Sequence, residues 1–184
     1  MAIVCSFQKI QVQNPYIIIA TKGYTWQESR SERWWCMECT KCSRYSLGDG
    51  DSCSSPGSSS SSCREGHSIW LRDCRDNSRN FRFNVVKNNG SGDLVRADGT
   101  NLCLSTVDNT YLEMRNCNPK DGKQLWVPIK SLSQFELRPY HQRDWSRNKA
   151  KCLSQLHHPK SKELVGLHTC STAHGDETGF WEEF

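Results

Sequence analysis

Leu112-Glu113-Met114-Arg115-Asn116-Cys117, followed by Gln124-Leu125-Trp126, is the stretch on which the fold turns. Apolar and polar side chains alternate from Leu112 to Arg115, the period of a strand with one face buried. The pattern recurs twice, as Ile69-Trp70-Leu71-Arg72-Asp73-Cys74 and as Val165-Gly166-Leu167-His168-Thr169-Cys170. After each cysteine comes a polar, turn-rich stretch and then an aromatic strand: Phe81-Arg82-Phe83, Gln124-Leu125-Trp126 and Gly179-Phe180-Trp181. Cys74 to Phe83, Cys117 to Trp126 and Cys170 to Trp181 span 9, 9 and 11 positions. Near-constant spacing of this kind marks internal repeats.

Working backwards from two of the blocks, a shared piece appears as Leu102-Cys103-Leu104-Ser105 and Lys151-Cys152-Leu153-Ser154. Its expected counterpart in the first repeat is Tyr16-Ile17-Ile18-Ile19-Ala20, which carries no cysteine. Candidate opening strands are Asp93-Leu94-Val95-Arg96, Phe135-Glu136-Leu137-Arg138 and, for the first repeat, Phe7-Gln8-Lys9-Ile10-Gln11-Val12. Asn89-Gly90, Asp98-Gly99 and Asp121-Gly122 are strong turn dipeptides between strands, and no long stretch has a 3.6-residue apolar period. Three repeats of four short strands, at about 1–90, 91–132 and 133–184, predict an all-β chain closed into a single β-trefoil domain over residues 1–184. Phe83, Trp126 and Trp181 would fill equivalent places in its core.

Composition agrees with one such domain. The 184 residues are 35% hydrophobic, but seven Trp, six Phe and five Tyr supply large apolar surfaces. Eleven cysteines in a chain of this size point to an oxidising compartment, either extracellular or an organelle lumen. Met1-Ala2-Ile3-Val4-Cys5 has no basic region followed by an apolar one, so no targeting peptide is read there. The apolar run Tyr16–Ala20 falls far short of the ~20 residues a membrane helix needs. Net charge is +4, from 24 basic and 20 acidic residues that alternate along the chain, which specifies no nucleic-acid partner. Arg72, Arg75, Arg79 and Arg82 are interrupted by Asp73 and Asp76, the pattern of a solvated surface, with an anion site for acidic glycans as the alternative.

The Gln124-Leu125-Trp126 triplet, the Leu102-Cys103-Leu104 segment and Cys117 between them resemble the repeat signature of the ricin B-type lectin family. The resemblance is clearest over 91–132 and extends to 133–184, where Gly179 replaces the Gln, and to 68–87, where Phe81 does. It implies bridges Cys103–Cys117 and Cys152–Cys170. It also implies sugar sites built from an Asp soon after the first cysteine, an aromatic platform two residues before the second, and an Asn before the Gln. The matching positions hold Ser105, Arg115 and Lys123 in the middle repeat, and Ser154, His168 and Thr178 in the last. The first repeat offers Arg72 and Asn80. No repeat supplies both carboxylate and platform, so the family's galactose-type recognition does not carry over residue by residue. His168, a flat ring at the platform position, and Gln124 are retained as candidate ligand contacts, with Asn80.

The other seven cysteines are Cys5, Cys36, Cys39, Cys42, Cys53, Cys63 and Cys74, and five of them fall in an expected insertion at about 23–67. Cys36-x-x-Cys39-x-x-Cys42 could hold zinc or form disulfides; the oxidised setting favours disulfides, and no metal or other cofactor is assigned. Trp34-Trp35 beside these cysteines is either a small core under the insertion or an anchor for a partner. No catalytic motif is present, neither Gly-x-Ser-x-Gly, His-Glu-x-x-His nor a phosphate loop. The expected function is non-catalytic: an accessory or structural subunit that docks on a larger protein assembly through the insertion. The alternative is a secreted lectin that binds a glycan.

Overall fold

The computed structural model describes residues 17–23, 33–39, 63–73, 82–131, 134–156, 164–171 and 182–183. Twelve strands are found among them: β1 (Ile17–Gly23), β2 (Arg33–Cys39), β3 (Ile69–Asp73), β4 (Arg82–Val86), β5 (Leu94–Ala97), β6 (Leu102–Thr106), β7 (Leu112–Asn116), β8 (Trp126–Ser131), β9 (Gln134–Pro139), β10 (Lys151–Gln155), β11 (Val165–Thr169) and β12 (Glu182–Glu183). Short 3₁₀ turns lie at Gly122–Gln124 and Tyr140–Gln142. No helix among the described residues is long and apolar enough to cross a membrane.

Every strand pair among the described residues is antiparallel. A sheet runs in the order β3-β2-β1-β4-β5-β6-β7 with β12 also on β1, and β8–β9 and β10–β11 form two further hairpins. Glycine and Asx chemistry sets the connections. Gly90 and Gly99 adopt φ of 86° and 67° at the Asn89-Gly90 and Asp98-Gly99 turns. Asp121 caps the 3₁₀ turn before β8 by accepting from the Lys123 amide at 3.0 Å.

The three cysteine-terminated blocks of the sequence are β3, β7 and β11, and each touches the other two. Met114 N donates to His67 O and Gly66 N to Met114 O, both at 2.8 Å, and Leu167 N donates to Thr110 O at 2.8 Å. Bridges Trp70–Leu164 and Tyr111–Gly166 complete the meeting. Gly166 has to be a glycine here, because a Cβ would lie 2.3 Å from the Thr110 carbonyl oxygen. Over this junction lies one apolar cluster that includes Met37, Ile69, Phe83, Leu104, Met114, Trp126 and Leu153, each fully buried. Trp126 also donates its indole N–H to Leu104 O at 3.0 Å, so its one polar atom is satisfied inside the core. The third expected core aromatic, Trp181, lies outside the described residues.

The first repeat departs from its expected register. Ile17–Gly23 is not the partner of the first block. It pairs with β2, β4 and β12. The partner of Ile69–Asp73 is Arg33–Cys39, which lies inside the expected insertion at 23–67. Cys36 stands opposite Arg72, as Cys103 stands opposite Arg115 and Cys152 opposite His168. Met37, Leu104 and Leu153, the residues after those cysteines, are all 0% exposed. Trp34 and Trp35 therefore belong to a sheet strand, opposite Lys22 and Thr21, and not to a loop. The opening strand expected at Phe7–Val12 lies outside the described residues.

Cys103 is bonded to Cys117 at 2.02 Å and Cys152 to Cys170 at 2.12 Å, closing separations of 14 and 18 residues. Cys39 is bonded to Cys63, and Cys36 is disulfide-bonded too, so neither holds a free thiolate for zinc. Cys74 follows Arg72 by two positions, as Cys117 follows Arg115 and Cys170 follows His168. Non-reducing peptide mapping is therefore expected to return Cys36 joined to Cys74, and a different partner for Cys36 would contradict the shared register.

Candidate binding pocket

The middle hairpin, β6–β7, and the turn that follows it enclose a pocket of about 330 Å³. Ser105 and Thr106 come from β6, Glu113, Arg115 and Asn116 from β7, and Asn118, Asp121, Lys123 and Gln124 from the turn; Glu65 reaches in from the segment before β3. Ser105, Arg115, Lys123 and Gln124, singled out in the sequence, thus line one cavity.

Gln124 is a framework residue of that cavity. It is buried, accepts from Asn118 N at 2.9 Å through Oε1, and donates from Nε2 to Asn116 O at 3.0 Å. Its amide ties the end of β7 to the turn and fixes where the turn's polar groups point. The hydroxyl of Thr106 adds a weaker tie to Lys123 O at 3.4 Å.

The charged groups lie on the pocket wall. Glu113 is directly opposite Ser105 in the ladder, and facing residues of an antiparallel pair are side-chain neighbours. The carboxylate missing at position 105 is therefore present across the hairpin, on Glu113. Arg115 donates from Nε and Nη2 to Glu113 Oε1, while its Nη1 is 4.0 Å from Glu65 Oε1. Asn116 Nδ2 in turn donates to Glu65 Oε2 at 2.8 Å. Three carboxylates (Glu65, Glu113, Asp121) face two cations (Arg115, Lys123), with amide and hydroxyl groups between them. Such a wall can accept from and donate to a polyhydroxylated ligand, but it has no aromatic face.

Glu113 and Glu65 escaped the sequence reading because it compared positions along each repeat and not across the hairpin. Applied to the other repeats, the ladder separates them. Opposite Ser154 stands Gly166, which brings no acid, whereas in the first repeat Glu38 occupies the position that Ser105 and Ser154 hold, with the buried Trp70 opposite it. The acid position of the first repeat could not be assigned until Arg33–Cys39 was recognised as its second strand. His168 is half-buried on β11 opposite Cys152, Trp34 and Trp35 are on β2, and none of the three lines the β6–β7 pocket. Asn80 and Thr178 lie outside the described residues.

Glu136, Cys152 and Cys170 also converge, all buried. The two sulfurs are bonded to each other, and the carboxylate is held by arginines: Arg138 donates from Nε and Nη2 to Oε2 at 3.0 and 2.7 Å, and Arg147 Nη2 is 2.9 Å from Oε1. This cluster is an ion-pair network packed on a disulfide.

Antiparallel hairpins meeting at a common junction give a trefoil-like arrangement. Known structures agree. The chain is similar to the designed 3-fold symmetric protein ThreeFoil, with a TM-score of 0.61 and 12% identity over 92% of this chain and 98% of that one. It is also similar to the cytolethal distending toxin of Haemophilus ducreyi, with a TM-score of 0.55 and 10% identity over 89% of this chain and 81% of that chain. The cytolethal distending toxin of Actinobacillus actinomycetemcomitans gives the same TM-score and identity over 89% and 88% of the two chains. At these identities the likeness concerns the fold, which is trefoil-like. No protein-family model and no curated protein matches the sequence.

Proposed function

We propose that the protein is a non-catalytic binding module whose β6–β7 pocket takes a hydroxyl-rich ligand of the glycan type. The observation that carries this reading is Glu113, a buried carboxylate facing Ser105 in the wall of a polar pocket on a lectin-like fold. A carboxylate accepting from neighbouring hydroxyls, with Arg115, Lys123 and amide groups supplying donors, is the arrangement that competes with water for a sugar. Three disulfides among the described residues are consistent with an oxidising compartment, where extracellular glycans are met.

A glycan array probed with the parent protein and with Glu113→Gln tests it. A hydrogen bond to a charged group contributes about 1.5–3 kcal/mol, so the variant is expected to lose roughly tenfold to a hundredfold in affinity while keeping its melting temperature. A parent that binds no glycan, or a variant that binds as well, overturns the assignment.

Docking on a larger assembly is the second reading, and one feature favours it. The Cys39–Cys63 bridge holds the two ends of the intervening segment at a Cα separation of 5.5 Å on the core. A segment rooted in this way on a rigid barrel is suited to presenting a recognition surface. Co-purification of a stable complex that is lost when residues 42–60 are replaced by a short Gly/Ser linker supports this reading.

A further inference from the structure

The connection between β9 and β10 is built inside out. Gln142 is 4% exposed, while Trp145, three positions on, is 48% exposed. Water contact over half of an indole forgoes apolar burial that folding normally uses. Among the described residues the only other exposed large hydrophobic is Val85.

This exposure is enforced by the interior. The buried Arg138 guanidinium, besides gripping Glu136, donates from Nη1 to the carbonyl oxygens of Trp145 at 3.0 Å and Arg143 at 3.4 Å. Gln142 accepts from Lys151 N at 2.6 Å, and Trp145 N donates to Gln142 O at 3.1 Å. The loop backbone is thus fixed at both sides of the tryptophan, and His141 meets the ring edge-on, at 6.3 Å between centroids. A preordered aromatic loses little entropy on binding.

Cations share its loop. Arg143 lies over the Tyr140 ring at 4.2 Å, Arg147 is 54% exposed beyond its contact with Glu136, and Lys149 is exposed. Asp144, paired with Arg143 at 3.3 Å, is the one acid from Tyr140 to Lys149. An exposed flat ring on a loop that also carries exposed cations suits a ligand with an apolar C–H face and anionic substituents. A single indole is too little apolar area for a membrane surface. The oxidised setting favours an acidic polysaccharide over nucleic acid.

We infer that the Tyr140–Lys149 loop is a second binding site, for a sulfated saccharide that stacks on Trp145 and pairs with Arg143 and Lys149. The site shares no residue with the β6–β7 pocket and stands or falls separately from it.

Titration of the full-length oxidised protein with heparin oligosaccharides, N- and O-desulfated heparin and single-stranded DNA decides the matter. Binding of heparin is expected to weaken at least tenfold in Trp145→Ala and several-fold in Arg143→Ala and Lys149→Ala, and to persist in Glu113→Gln. Circular dichroism melts of the three loop variants are expected to match the parent, since these side chains face solvent. Three results would overturn the proposal: no heparin binding by the parent, equal binding in Trp145→Ala, or DNA or desulfated heparin binding as tightly as heparin.

Discussion

Glu136→Leu is expected to cost about 3–5 kcal/mol of folding stability, the usual penalty for stripping one partner from a buried ion pair. Glu136 and Arg138 are 1% and 6% exposed, and the carboxylate is the acceptor for two of the guanidinium's nitrogens. With the acid gone, Arg138 keeps only the carbonyls of Arg143 and Trp145, and its charge stays buried without compensation. Arg147 is half-exposed and can turn to water, so the loss falls mainly on Arg138. The double variant Glu136→Leu/Arg138→Met is expected to recover most of the deficit, because a pair of apolar side chains has no charge to desolvate. Urea unfolding midpoints of the parent, the single variant and the double variant measure it. A single variant within 1 kcal/mol of the parent would show that the network contributes little.

Trp126→Ala is expected to be comparably severe, at about 3–5 kcal/mol, the range for emptying a large aromatic site in a packed core. Trp126 is 0% exposed and sits in the main cluster with Phe83, Leu104 and Leu153. Trp126→Phe separates the two parts of that loss. It keeps most of the apolar surface but removes the donor to Leu104 O, and is expected to cost about 1–3 kcal/mol. Equal effects from the two substitutions would mean that the hydrogen bond, and not packing, dominates at this site.

Much of the framework could be read in the sequence because the decisive signals are local. Alternating apolar positions ending in cysteine marked β3, β7 and β11, Leu-Cys-Leu marked β6, and the turns at Asn89-Gly90 and Asp98-Gly99 fell where φ is positive, while Asp121-Gly122 opens a 3₁₀ turn. The first repeat was misaligned because its second strand carries Cys36-Met37-Glu38 in place of Cys-Leu-Ser, with two adjacent tryptophans obscuring the alternation. Its true alignment is fixed by a ladder to Ile69–Asp73, about thirty residues away, which no local pattern encodes. The pocket was half visible for the same reason. Ser105, Arg115, Lys123 and Gln124 follow from repeat spacing, but Glu113 depends on cross-strand register and Glu65 on how two repeats meet. The Trp145 loop gave no signal at all, since whether a tryptophan faces in or out here is decided by the buried Arg138 beneath it.

The Cys39–Cys63 bridge alters what evolution can do with the residues between its ends. In an open chain, each added loop residue raises the entropy lost on folding. When the ends are already joined in the oxidised unfolded chain, that loss is taken before folding begins, and lengthening or rewriting the segment leaves the folding equilibrium of the barrel nearly unchanged. Selection can then act on this tethered stretch for recognition alone, while the core keeps its own sequence constraints.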